Sequence, residues 1–167
     1  MDMPFAPFDL SLADPCCEAA ARLMRDLSAE EALRYHDLGS DPFDSFQPDD
    51  VRGPRSAFVM ACLDGEPVGC GALRPIDASA AEINRMYVAP GLRRRGIGRG
   101  ILGELERLAV AFGYRAVRLE TGNRQPEAIG LYEGFGFRRT SPFGAHANDP
   151  VSLFFEKVVA GEGSPTA

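Results

Sequence analysis

Met86-Tyr87-Val88-Ala89-Pro90-Gly91-Leu92-Arg93-Arg94-Arg95-Gly96-Ile97-Gly98 is the stretch on which the fold turns. Glu82 to Val88 reads as a strand ended by Pro90. From Ile97, apolar residues recur at Ile101, Leu102, Leu105, Leu108, Ala109 and Phe112, which is helical periodicity, and Gly113 ends it. The stretch is therefore a strand-to-helix turn. A helix N-terminus presents unpaired backbone N–H groups and a partial positive charge. Gly96 and Gly98 have no side chains to keep an anion from those groups. Arg93, Arg94 and Arg95 add charge and forked donors that match phosphate oxygens. The turn predicts a phosphate-bearing ligand.

Working outward, Phe8 to Leu12 alternates as a short strand. Asp14-Pro15 predicts a helix start, with the helix running to Leu27. Ser28-Ala29-Glu30-Glu31 has capping-box spacing and predicts a second helix to Asp37. Residues 39–55, rich in Asp, Pro and Gly, read as a surface loop. Ala57 to Leu63 and Val68 to Leu73 are strands joined by a tight turn at Asp64-Gly65, and Gly69 and Gly71 keep one face of the second strand bare. Ala116 to Glu120 is a strand and Glu127 to Tyr132 a short helix. Phe137 to Thr140 and Val151 to Val158 are the last two strands. The helix between Val88 and Ala116 is a crossover, so its flanking strands should be parallel neighbours; the other pairs should be antiparallel. The expected fold is α/β: a mixed, mostly antiparallel sheet with helices on both faces. One domain should span residues 1–160, with 161–167 a disordered tail.

Composition narrows the function. The chain has 167 residues and a net charge of −6. Acids outnumber bases 16 to 6 over residues 1–83, whereas bases outnumber acids 12 to 8 beyond. A local basic cluster on an acidic chain suits one compact anionic ligand and argues against nucleic acid, as does the lack of aromatic residues among the arginines. No apolar run is long enough to span a membrane, and the N-terminus has no signal-peptide pattern, so the expected compartment is the cytoplasm. Cys16, Cys17, Cys62 and Cys70 are not spaced for zinc or a disulfide framework, and with only His36 and His146 no metal is expected. Lys157 is the only lysine, which excludes a lysine-based phosphate loop. Gly98-Arg99-Gly100-Ile101-Leu102-Gly103 is a formal G-x-G-x-x-G, but its later glycines fall inside the helix rather than at the turn. We therefore set aside a dinucleotide reading, and the spacing to Glu120 with it.

The stretch Glu82 to Phe137 resembles the GNAT family of N-acetyltransferases, whose signature R/Q-x-x-G-x-G/A stands here as Arg93-x-x-Gly96-x-Gly98. Met86 to Pro90 continues the match upstream; Asn123, Ala128, Leu131-Tyr132 and Gly134-Phe135-Gly136-Phe137 continue it downstream. The resemblance implies an acetyl-coenzyme A (acetyl-CoA) dependent transfer to a primary amine by direct attack on the thioester. It implies that Met86, Tyr87, Val88, Arg93, Arg94, Arg95, Gly96, Ile97, Gly98, Arg99, Asn123, Ala128 and Tyr132 hold the cofactor. The Val88 N–H is the implied oxyanion donor. A contrasting reading is a coenzyme A-binding module without catalysis.

An alkyl amine has a pKa of about 10 and arrives charged, so the chemistry needs a base and then an acid for the departing thiolate. The resemblance points to Glu82 in Ala81-Glu82-Ile83 as base and to Tyr132 as acid. An ion pair of Glu82 with Arg85 is the structural alternative for that glutamate. His146 is a further candidate base. The acceptor, expected to be a small-molecule amine, should lie between Leu23 to Pro54 and Pro142 to Pro150. There Asp37, Asp41, Asp44, Asp49 and Asp50 supply negative charge, and Phe43, Phe46 and Phe143 apolar surface. The exposed sheet edges permit a homodimer.

Overall fold

Asp64 and Gly65 both take positive φ, 51° and 80°, the pattern of a two-residue hairpin turn whose twist matches its strands. Around that turn the chain builds a seven-stranded sheet. The computed structural model describes residues 7–38 and 46–159. The strands are β1 (Phe8–Leu12), β2 (Ala57–Leu63), β3 (Glu66–Pro75), β4 (Ala80–Val88), β5 (Ala116–Gly122), β6 (Arg138–Arg139) and β7 (Ser152–Val158). Their spatial order is β1-β2-β3-β4-β5-β7-β6, with β4 and β5 parallel and every other pair antiparallel.

Strand alternation sorts the core into two layers. Val59, Ala61, Leu73, Ile83, Val117 and Leu119 face α2 (Ile97–Ala111), whose Ile97, Ile101, Leu102, Leu105 and Leu108 cover them. Phe58, Met60, Cys70, Ala72 and Tyr87 face the other way, under Ala20, Leu23 and Leu27 of α1 (Glu18–Arg34). The bare face of β3 is needed for α2: a Cβ at Gly71 would come within 2.8 Å of Ile101 and Leu105. The third helix, α3 (Pro126–Gly134), places Tyr132 against Phe137 and Phe155, with ring centroids 6.0 and 6.4 Å away.

One expectation is corrected. The two predicted helices, Asp14 to Leu27 and Ser28 to Asp37, are a single helix, Glu18–Arg34. A capping residue needs extended backbone, and Ser28 sits mid-helix instead. The apolar stripe of Ala20, Leu23 and Leu27 runs on to buried Tyr35, so packing on the sheet leaves no place for a break. The cap is Cys17, whose Sγ accepts from the Ala20 N–H at 3.4 Å. Asp14 instead closes a turn, accepting from the Cys16 N–H at 2.9 Å.

Candidate active site

The site begins where β4 and β5 part. They pair from Ala80 with Ala116 to Ile83 with Leu119 and no further, although β4 continues to Val88 and β5 to Gly122. A bulge on β4 helps to open the gap. Between the Ala72–Asn84 and Cys70–Tyr87 pairs, β4 has one residue more than β3. Arg85 lies in that bulge with φ +55°, and the Cys70 thiol donates to its carbonyl at 3.3 Å.

Two cavities meet at the gap. The first, about 520 Å³, lies over the strand-to-helix turn. Met86, Tyr87, Val88, Arg93, Arg94, Gly96, Ile97, Gly98, Arg99, Ala128 and Tyr132 all line it. Gly96 caps α2 at φ +83°, a left-handed conformation, with no side chain capping the first helical amides, and Ile97, Gly98 and Arg99 of that first turn line the cavity. A Cβ at Gly98 would sit 3.3 Å from Leu131 and 3.7 Å from Val88, filling the groove between β4 and α3. Open amides, a bare glycine and arginines at the rim fit the pyrophosphate of a coenzyme. The arginines are not equivalent. Arg93 donates to the Val88 carbonyl at 2.8 Å and pairs with Glu30 of α1 at 2.6 Å. Arg94, 85% exposed, only approaches Glu127 at 3.4 Å. Arg95 and Asn123 do not line the cavity; the Asn123 backbone N–H instead bonds the Val151 carbonyl at 2.8 Å.

The second cavity, about 480 Å³, opens on the other side of the gap. It is lined by Glu82, Arg74, Asn84, Arg85 and Glu120 from the sheet. Phe46, Asp50, Phe143 and His146 come from the flanking segments. Asp41, Asp44 and Phe43 lie outside the described residues. The cavities share Leu27, Met86, Gln125 and Tyr132.

Glu82 is heavily engaged. Its Oε1 accepts from Arg74 Nε at 2.6 Å and from Asn84 Nδ2 at 3.3 Å. Arg74 also reaches Asp50 at 2.8 Å. The predicted Arg85 pairing is thus replaced by one to Arg74, which faces Glu82 across the β3–β4 ladder. Glu120 differs. Burial pushes its carboxyl up to about 7; the Ser152 hydroxyl donating at 2.7 Å works against the shift, and the negative charges of Glu82 and Asp149 add to it. Tyr132, 6% exposed, has its phenol pushed well above the usual range by burial first and by Glu120 and Glu31 after it. It therefore keeps its proton.

Glu120 is the residue that sequence reasoning passed over, since its spacing attached it only to the discarded dinucleotide pattern. The available signal was positional. Val117 and Leu119 alternate into the core, which turns Glu120 onto the other face at the carboxyl end of a parallel strand, where α/β proteins place ligands. Gln125, at the α3 N-cap and on both cavities, was also missed.

The Acetyltransferase (GNAT) family model matches residues 21–137. An "IAA acetyltransferase" of Azospirillum brasilense is 42% identical over 105 residues, covering 62% of this chain and 69% of the relative. The N-acetyltransferase YsnE of Bacillus subtilis is 36% identical over 109 residues, covering 64% and 72%. A Klebsiella pneumoniae structure described as an acyl-CoA N-acyltransferase superposes with a TM-score of 0.76 at 26% identity, covering 93% of this chain and 99% of that one. A GNAT acetyltransferase of Elizabethkingia anophelis with acetyl-CoA bound has the same fold, with a TM-score of 0.64 at 20% identity, covering 90% and 97%. With the signature turn, the parted strands and the paired cavities in place, the chain belongs to the GNAT family and is an acetyl-CoA-dependent N-acetyltransferase.

Proposed function

We propose that the enzyme acetylates a primary amine held in the second cavity, with Glu120 as the proton acceptor and Tyr132 as the proton donor. Acetyl-CoA, when bound, supplies an acyl group already activated as a thioester. The α2 amides with Arg94 and Arg99 hold its pyrophosphate, and backbone groups of Met86 to Val88 align the pantetheine arm along parted β4. The Val88 N–H stabilises the developing oxyanion. No metal takes part in this scheme. The four cysteines are free thiols, as expected of a protein working in the reducing cytoplasm, which we take as its compartment. Among the described residues no helix is long and apolar enough to cross a membrane.

The observation that carries this reading is the junction of the two cavities at Tyr132, beside a carboxyl group that titrates near neutrality. A general base works best with a pKa near the working pH. Glu82, paired at 2.6 Å with Arg74, is better placed to hold that arginine and to raise the pKa of Glu120 by its charge. A binding module without catalysis would need neither group. The test compares kcat/KM against pH for Glu120→Gln and Glu82→Gln. The wild-type profile should have an acid limb near pH 7, because Glu120 must lose its proton to work. Glu120→Gln should abolish that limb and recover partly in alkaline buffer, where more amine arrives neutral. Glu82→Gln removes a neighbouring negative charge and should move the limb to lower pH. Loss of the limb in Glu82→Gln alone would return the base role to Glu82.

A further inference from the structure

Ser152 opens β7 opposite Gly122 of β5, and Glu120 lies opposite Phe154 two residues on. Alternation puts all four on one face of the sheet, so Ser152 and Glu120 are diagonal neighbours across the ladder. Gly122 brings no side chain between them; the Tyr35 hydroxyl fills that place. The Ser152 hydroxyl donates to Glu120 Oε1 at 2.7 Å, and nothing else among the described residues donates to that carboxyl. The serine is itself fixed by its surroundings. Its backbone N–H donates to the Asp149 carbonyl at 3.2 Å, and the Val151 N–H to Asp149 Oδ1 at 3.1 Å. The Val151 carbonyl accepts from the Asn123 N–H at 2.8 Å, which ties this turn to the end of β5.

Ser152 lines neither cavity, whereas Glu120 lines the second. The serine can therefore act on the reaction only through the carboxyl. A carboxylate turns easily about its last side-chain bond; a donor on one oxygen stops that rotation and leaves the other oxygen to accept a proton. The same bond favours the charged form. The other ionisable groups around Glu120 oppose that form or are committed elsewhere. Glu82 on β4 and Asp149 before β7 repel its charge, and Tyr132 on α3 keeps its own proton. Arg118, two residues back on the same face of β5, is taken by Glu156 of β7, and Arg74 by Glu82 and Asp50. Glu31, Arg85 and His146 stand elsewhere on the cavity wall.

We infer that Ser152 is a positioning residue for acetyl transfer, whose hydroxyl pins one oxygen of the Glu120 carboxylate and so presents the other to the incoming amine. This rests on reading Glu120 as the proton acceptor.

The experiment reads Glu120 twice, in wild type, Ser152→Ala and Ser152→Thr. One reading is kcat/KM against pH by thiol release, with phenethylamine, phenylalaninamide and spermidine as acceptors. The other is the titration of the Glu120 carboxyl by carbon-13 NMR, its signal identified by its loss in Glu120→Gln. Ser152→Ala should raise the NMR midpoint and the acid limb together by about one pH unit, the worth of one hydrogen bond to a charged group. The direction is upward because the lost donor favoured the ionised form. Above the displaced limb, kcat should stay about tenfold low, because the carboxylate is no longer oriented. The KM for acetyl-CoA should not move. Ser152→Thr keeps the hydroxyl and should restore most of both losses. Ser152→Cys, close in size and a weaker donor, should fall between them, and it replaces the alanine variant if that variant does not fold. An NMR midpoint unchanged in Ser152→Ala overturns the inference and leaves Glu120 as the base, as does full recovery of kcat above the limb. A midpoint that rises while the limb stays in place shows instead that Glu120 is not the base, and the proposed mechanism falls together with the role of Ser152. Absence of turnover with every amine rejects both in the same way.

Discussion

Tyr132 occupies the wall common to both cavities, and its buried phenol holds its proton at any pH at which the enzyme works. Burial is the main cause, and burial also makes the residue a packing element against Phe137 and Phe155. The two roles separate on substitution. Tyr132→Phe keeps the ring and removes one oxygen, so the melting temperature and acetyl-CoA affinity should change little. The kcat should fall on the order of 10²-fold, the usual scale for losing a positioned acid. Steady-state kinetics beside a melting curve on the same preparation reads both. Near-normal kcat in a folded Phe variant removes Tyr132 from the chemistry. At this scale the sequence was partly legible. Tyr132 stands in a recognisable motif, whereas the environment of Glu120 depends on Ser152 and Asp149 from a distant segment, and nothing local announces such neighbours.

Among the elements, α1 and the β5–α3 connection are clasped together. Tyr35, at the C-cap of α1, accepts from the Arg124 N–H at 3.1 Å, and Arg124 forks onto Asp37 at 2.6 and 3.0 Å. The Tyr35 hydroxyl lies over Gly122 where a side chain would stand, and at 1% exposure the ring has nowhere to retreat. Gly122→Ala should therefore cost about 1–3 kcal/mol, on the scale of overpacking in a core. It should also weaken catalysis by shifting Gln125 at the start of α3. Chemical denaturation of the variant checks the first effect; a stability within about 0.5 kcal/mol of wild type refutes the fit. The elements themselves were read well where local rules act alone. β1 and β2 have the predicted ends, because alternation and the Asp64-Gly65 turn need no tertiary context. Ser28 misled because capping-box spacing is only a local preference. The stripe of Ala20, Leu23 and Leu27, packed on Cys70 and Ala72 of β3 and Tyr87 of β4, outweighs it.

Over the whole molecule, the acidic first half and basic second half of the chain face each other at the cofactor turn. Glu30 of α1 holds Arg93, while Arg94 and Arg99 remain at the rim. Arg94→Ala with Arg99→Ala should thus weaken acetyl-CoA binding far more than binding of an acetyl-pantetheine fragment without pyrophosphate. Equal losses for both ligands in calorimetry would show that the arginines serve the fold instead. The shared wall between the cavities has a kinetic consequence. It consists of a hydrocarbon side chain, a thioether, an amide and a phenol held protonated: Leu27, Met86, Gln125 and Tyr132. None is a nucleophile fit to carry an acetyl group between half-reactions. Direct transfer across that wall requires donor and acceptor to occupy the protein together. Initial-rate plots at several fixed concentrations of the second substrate should intersect rather than run parallel, and mixing enzyme with acetyl-CoA alone should release no stoichiometric burst of thiol.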